Sequence, residues 1–386
     1  MEHIFDFDEI RPYRDNEVHD VLMRLVKEPA LMANLPAVFP SIPMDEIIKK
    51  IETIHTVQDL QVQIMSLFLK GVEEQTTLGI ELKGTENISK NKAYLYISNH
   101  RDIILDSAFL NHKLLSFKAL LTEIAIGDNL LIFPWIKDLV RVNRNFIVQR
   151  DAPIRQMLDI SKRLSAYMRH TLTERNQSIW IAQREGRAKN SDDRTQEALL
   201  KMMSMSGKQS VALNLKDLHI CPLSISYEYD PCDYLKAIEF QQKRDNPEHK
   251  KDPKDDLLNM GTGIKGFKGR VVYYTNGDIN KELEHIDQQT SSKNEQLELC
   301  AQLIDKCIHL HYEIFPGNKV AYDLLLNTNK FASEYDLKEK ATFETYLQQQ
   351  LDKITIPQKD NTFLRTKILE MYANPLINKL KAENKL

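Results

Sequence analysis

Several large classes of protein are excluded by what this chain lacks. Across 386 residues there are four cysteines, Cys221, Cys232, Cys300 and Cys307. Their spacings match no usual zinc pattern. Met1-Glu2-His3 opens an acidic start with neither a basic n-region nor an apolar h-region, so no secretory signal is read. The thiols are therefore expected to be reduced, in a cytoplasmic protein. Lysine and arginine number 52 against 55 aspartates and glutamates, a net charge of −3. Without a basic excess, nucleic acid is not an expected partner, and any anion site must be local. No apolar run reaches the roughly 18 residues that suggest a membrane span. The nearest, Leu130 to Ile136, contains Pro134 and is ended by Lys137. It serves either core packing or contact with an acyl chain or membrane. A lipid substrate would have to be met from one face of the membrane. Internal repeats and low-complexity tracts are also missing.

What is present is an ordinary globular composition, 42% hydrophobic and 28% charged, long enough for one large domain or two. Three regions are expected. Residues 1–90 read as a helical N-terminal region, with Val18, Val21, Leu22, Leu25 and Val26 on one apolar face and Val57, Leu60, Ile64, Leu67 and Phe68 on another. The proline-punctuated stretch 29–40 between them reads as an irregular apolar connector. Residues 91–280 alternate. Strands are expected at 93–97, 117–121, 145–149, 178–182, 219–226 and 270–275, with helices at 102–113, 153–175 and 193–206. Alternation of this kind gives an α/β fold with a mixed, mostly parallel sheet flanked by helices. Within it, the charged stretch 236–269 reads as an exposed insertion or loop. Residues 281–386 read as a helical C-terminal region, including a capping-box spacing at Ser292 and Glu295.

The residues that draw the chain together are Ser98-Asn99-His100-Arg101-Asp102-Ile103-Ile104-Leu105-Asp106-Ser107. They follow the apolar run 93–97 and lead into a helix expected from about Asp102. His100 thus falls in a turn at the carboxyl end of a strand, where open α/β sheets place ligand sites. An imidazole there accepts a proton, and a nearby carboxylate, Asp102 or Asp106, orients it. Alone, such a pair also describes a histidine that only fills a turn.

Three further segments share this position at strand ends. Arg141 to Arg150 brackets a short apolar strand with arginines. Ile179-Trp180-Ile181-Ala182 runs straight into Gln183-Arg184-Glu185-Gly186-Arg187-Ala188-Lys189. There glycine permits close backbone approach, and arginine forks suit phosphate oxygens. Ile220 to Ser226 is an apolar strand with an early Pro222.

Taken in order, the four segments resemble the glycerolipid acyltransferase superfamily, which includes glycerol-3-phosphate and 1-acylglycerol-3-phosphate acyltransferases. Its pattern is Asn-His-x4-Asp, a strand ending in Arg, Phe-Pro-Glu-Gly-Thr-Arg, then an apolar strand with Pro. Asn99-His100, Phe146 to Arg150, Glu185-Gly186 and Pro222 match in order over roughly residues 80–275. Two positions depart from the pattern. Leu105 stands where the family aspartate is usual, and a one-residue insertion in the turn restores Asp106 to that role, with Asp102 the alternative. Ala188 stands at the family arginine position, so Arg187 or Lys189 must supply the cation.

The resemblance implies O-acyl transfer from an acyl thioester, carried by coenzyme A or acyl carrier protein, to a glycerol phosphate or lysophosphatidic acid. His100 is then the base and Asp106 its partner. Arg150, Arg187 and Arg184 hold the acceptor phosphate, Glu185 hydrogen-bonds the acceptor or positions an arginine, and Gly186 lets the backbone approach it. Neither a cofactor nor a metal is implied, and contact is peripheral, at the inner membrane face. An amino-lipid or other lipid acceptor, or a non-catalytic lipid-binding member of the fold, is the alternative. The chain has no Gly-x-Ser-x-Gly elbow, which fits direct attack by the acceptor hydroxyl.

Two literal motif matches fail on context. Gly261-Thr262-Gly263-Ile264-Lys265-Gly266 has dinucleotide-fingerprint spacing, but it follows no strand and precedes one at 270–275; a turn is expected there instead. His100-Arg101-Asp102 is also the opening of a kinase catalytic loop, yet no Asp-Phe-Gly follows.

Overall fold

A computed structural model describes residues 5–39, 42–150, 153–250 and 252–386. Seven strands form one sheet: β1 (Thr77–Lys83), β2 (Leu95–Ser98), β3 (Thr122–Gly127), β4 (Asn145–Val148), β5 (Ser178–Ala182), β6 (Ile220–Tyr227) and β7 (Gly269–Thr275), in the order β1-β7-β6-β2-β5-β3-β4. Every neighbouring pair is parallel except β6 and β7. The fold is therefore α/β with a mixed, mostly parallel sheet.

β2 lies at the centre, with Leu95 in register with both Ile179 of β5 and Ile220 of β6. Every residue of β2 and of β6 is buried. Central parallel strands covered on both faces need such continuous apolar runs. Side-chain alternation divides the strands between two cores. Leu95, Ile97, Ile179, Ile181 and Ile220 pack with residues of the helices Ile154–Thr173, Glu197–Ser204 and Lys293–Leu310. Tyr94, Tyr96, Trp180, Leu223 and Ile225 pack with Leu105, Phe109, Leu110 and Leu114 of the helix Leu105–Phe117. N-terminal and C-terminal helices each close a further apolar cluster.

Several local expectations are corrected. The helix after His100 begins at Leu105 rather than 102, because Asp102 caps it from outside. It runs on to Phe117, where Lys118 takes a left-handed φ of 60° and ends it. That displaces the expected strand at 117–121 to Thr122–Gly127. The stretch 29–38 is helical, with Pro29 at its first turn, where a missing N–H costs nothing; Pro40 lies outside the described residues. The charged stretch contains two helices, Asp233–Asp245 and Pro253–Lys265. Interleaved signs support helix there through pairs such as Lys243–Glu239 at 2.9 Å. Gly261 and Gly263 lie inside the second helix rather than in a turn. A strand, β1, also lies within the N-terminal stretch read as mainly helical.

Candidate active site

Three chain segments leave the carboxyl ends of β2, β5 and β4 and carry the sequence candidates. At the end of β2, Asn99 is fully buried. Its amide donates to the Ile225 carbonyl oxygen and accepts from the Ile225 N–H, both at 2.8 Å. The next residue is thereby aimed away from the sheet.

His100 Nδ1 lies 2.7 Å from Asp106 Oδ2. A carboxylate only accepts, so Nδ1–H donates to it, and in the neutral ring it is Nε2 that carries the lone pair. The same Oδ2 accepts the main-chain N–H groups of Arg101 at 2.6 Å and Asp102 at 3.1 Å. One oxygen, fully buried on the first turn of the helix, thus gathers three donors. The His100 side chain is 14% exposed. Trp180 meets its ring edge to face with centroids 5.6 Å apart, and the indole N–H donates to Ser98 Oγ at 3.0 Å.

Asp102 is directed elsewhere. Its Oδ1 accepts the N–H groups of Ile104 at 2.9 Å and Leu105 at 2.8 Å, satisfying donors left over at the helix start. Burial, then the neighbouring Asp106 charge, pushes its carboxyl above the ordinary carboxylate range, against the pull of those two N–H groups and of the Arg187 cation. Of the two candidate carboxylates, Asp106 is the one in contact with His100.

The basic residues lie on the chain segments that follow β4 and β5. The half-buried Arg150 follows β4, and its Nη1 lies 3.5 Å from Glu185 Oε1, a side chain 68% exposed. Gly127, ending β3, lets the guanidinium pass: a Cβ there would stand 2.9 Å from Arg150 Nε. Gly186 adopts φ +66°, with open space where a side chain would be. Ala188 is buried, and the cations on either side diverge. Lys189 pairs with Glu239. Arg187 donates to Asn259 at 3.1 Å and is close enough to Asp102 to influence its carboxyl. Arg184 is half-buried at the start of the same loop.

The apolar stretch after β3 divides. Leu131 packs against the core and Trp135 against the N-terminal helices, while Ile132 and Phe133 are exposed. No helix among the described residues is long and apolar enough to cross a membrane. Among the described residues, no group of three or more His, Cys, Asp or Glu side chains is arranged to hold a metal ion.

Sequence reasoning missed the groups that hold this turn from behind. Arg101 forms a buried two-point contact with Asp193, at 3.2 and 2.7 Å. Lys236 donates to the Arg101 carbonyl oxygen at 3.1 Å. Their partners are far apart in sequence, and no local spacing signals them.

A histidine held by a helix-borne carboxylate at the end of a central parallel strand is an arrangement that can take up and return a proton. Comparison with known families agrees. Residues 79–226 match the family model described as Acyltransferase. No curated protein matches the chain. Among solved structures, it is similar to the 1-acyl-sn-glycerophosphate (LPA) acyltransferase PlsC from Thermotoga maritima, at 11% identity and a TM-score of 0.36, over 75% of this chain and 91% of that one.

Proposed function

We propose that the protein transfers a fatty acyl group from an acyl thioester to a hydroxyl of a glycerol phosphate or lysophosphatidic acid-type acceptor, in phospholipid synthesis. The observation that carries this reading is the His100–Asp106 contact, which leaves Nε2 free to take a proton at the strand end. The acceptor hydroxyl loses its proton to Nε2 as its oxygen attacks the thioester carbonyl carbon. Asp106 stabilises the imidazolium that forms. The C–S bond then breaks, and the sulfur leaves as a thiol with the proton that His100 returns. The attacking oxygen belongs to the substrate, so no enzyme nucleophile is needed, and neither cofactor nor metal enters the scheme.

In this scheme Arg150, Arg184 and Arg187 receive the acceptor phosphate. Glu185 lies beside Arg150 at 3.5 Å and is well exposed, so an incoming phosphate displaces it from the cation at little cost. Gly186 leaves room for the acceptor backbone to approach. The donor is acyl-CoA or acyl carrier protein. Exposed Ile132 and Phe133 support peripheral contact with a lipid surface, and we assign that contact to the inner membrane face.

The test is thiol release from palmitoyl thioester, with glycerol-3-phosphate and then lysophosphatidic acid as acceptor, in wild type and His100→Ala. Acceptor-dependent release that disappears in His100→Ala supports the proposal. Release unaffected by His100→Ala would overturn it. No release with either acceptor would favour another lipid acceptor, such as an amino-lipid, or a binding protein that keeps the fold.

A further inference from the structure

Arg101 is held at three points. Its N–H donates to Asp106 Oδ2, the oxygen that contacts His100. Its carbonyl oxygen accepts from Lys236 Nζ, which is itself paired with Asp230. Its guanidinium makes the two-point contact with Asp193. Asp193 Oδ2 also accepts the Tyr312 O–H at 2.6 Å, and the Tyr312 ring centroid lies 5.8 Å from the Arg101 guanidinium carbon. Arg101, Asp193, Lys236 and Tyr312 are all buried, with exposures of 6, 1, 2 and 1%.

These contacts join parts of the chain that have no other reason to share a charge pair. Asp193 lies on the loop that follows β5 and carries Glu185, Gly186 and Arg187. Lys236 and Tyr312 lie beyond residue 226, outside the segment matched to the acyltransferase family. A buried ion pair is a weak source of stability, because desolvation offsets most of the attraction, but it fixes geometry closely. Here the geometry it fixes is that of the turn on which His100 and its carboxylate meet.

We infer that Arg101 is a positioning residue, which sets the His100–Asp106 pair against the acceptor loop, and that Asp193 and Tyr312 from outside the turn hold it there. The connection after the helix Lys293–Leu310, which carries Tyr312, is then part of the working site rather than an appended module. The inference rests on the reading of His100 as the general base.

The test compares Asp193→Asn, Tyr312→Phe and the double variant Arg101→Met/Asp193→Leu with wild type. The double variant removes both charges and fills the space with apolar side chains, so it is the one most able to keep the fold. Melting temperature, kcat and KM for both substrates are measured. Positioning predicts that the double variant folds while kcat falls about 10- to 100-fold and both KM values stay within about twofold, since binding contacts are untouched and proton transfer is misaligned. Tyr312→Phe keeps the charge pair and loses a single hydrogen bond, and is expected to lose about three- to tenfold in kcat.

A second readout does not depend on turnover. The His100 Nδ1–H proton, hydrogen-bonded to Asp106, is followed by NMR in protein with labelled histidine, its signal identified by its loss in His100→Gln. Positioning predicts that this signal shifts or broadens in Asp193→Asn and in the double variant. A folded double variant with wild-type kcat and an unmoved signal would overturn the inference. A wild type inert toward every acyl thioester, with a signal that still responds to Asp193→Asn, would sink the acyl-transfer reading and leave the positioning role standing.

Discussion

Gly263 lies directly against the Asp102 carboxylate: a Cβ built on this glycine would stand 2.0 Å from Oδ2. The helix Pro253–Lys265 can therefore cover the turn after β2 only because residue 263 has no side chain.

Replacing that glycine tests the contact. In Gly263→Ala the new methyl must push either the helix or the capping carboxylate away, and overpacking of this kind costs about 1–3 kcal/mol. Gly261→Ala, on the same helix with nothing within 4 Å, is the control. It is expected to be stabilising by about 0.5–1 kcal/mol through helix propensity alone. Urea unfolding of the two variants checks the difference, and equal midpoints would refute the packing argument.

The two carboxylates near His100 are expected to respond in opposite ways. Asp102→Asn keeps an oxygen for the Ile104 and Leu105 N–H groups, so thiol release stays within a few-fold of wild type. Asp102→Ala loses that cap and about 0.5–2 kcal/mol of stability. In Asp106→Asn a neutral amide oxygen has to serve three donors and stabilises imidazolium poorly, and kcat is expected to fall about 10²- to 10⁴-fold. Steady-state assays with parallel melting curves separate the two effects. A larger activity loss in Asp102→Asn than in Asp106→Asn would reassign the pair.

Much of this site is legible in the sequence because its signals are local. The apolar runs of β2, β5, β6 and β7 are bounded by turn-forming residues, and His100 and Asp106 are separated by one turn of chain. Long-range partnerships are not legible in this way. Nothing local signals the role of Arg101, since Asp193, Lys236 and Tyr312 are distant in sequence. β1 carries a weak local signal, because Thr77–Lys83 contains Gly79 and is only partly buried, as an edge strand tolerates. In Pro253–Lys265 two glycines mask the helical period. One of them is there for Asp102 rather than for chain flexibility.

Gly127 offers a way to test the basic mouth without touching a charge. Its φ of −71° suits any residue, so Gly127→Ala introduces no backbone strain. The added methyl instead displaces the Arg150 guanidinium, at 2.9 Å, and the Asn129 side chain, at 2.5 Å. KM for the phosphorylated acceptor is expected to rise about tenfold, with KM for the thioester unchanged, the pattern of a lost binding contact. A rise confined to the thioester would remove Arg150 from the acceptor site.

Lys268 gives a pH signature of folding. It is fully buried, with its ammonium on Thr76 Oγ1 at 2.9 Å and the Gly266 carbonyl oxygen at 2.7 Å. Burial lowers its pKa from 10.5 to about 8. Between these values the unfolded chain binds more protons than the folded one, so this residue's contribution to stability improves as pH rises through the window and is lost again as pH falls through 8. The gain is at most about 3 kcal/mol. Lys268→Met should lack it, so the stability difference between wild type and variant is expected to change in favour of wild type from pH 8 to pH 10. A difference that stays constant would show that the lysine remains charged.

Asn99 has a consequence for motion. With its amide paired to both main-chain groups of Ile225, the β2–β6 ladder continues for one more rung after the backbone has left it, written in a side chain. His100 is therefore mounted on the last rung rather than hung from a loop. On the picosecond-to-nanosecond scale, where loops wander and strands do not, the imidazole inherits the small amplitude of the sheet.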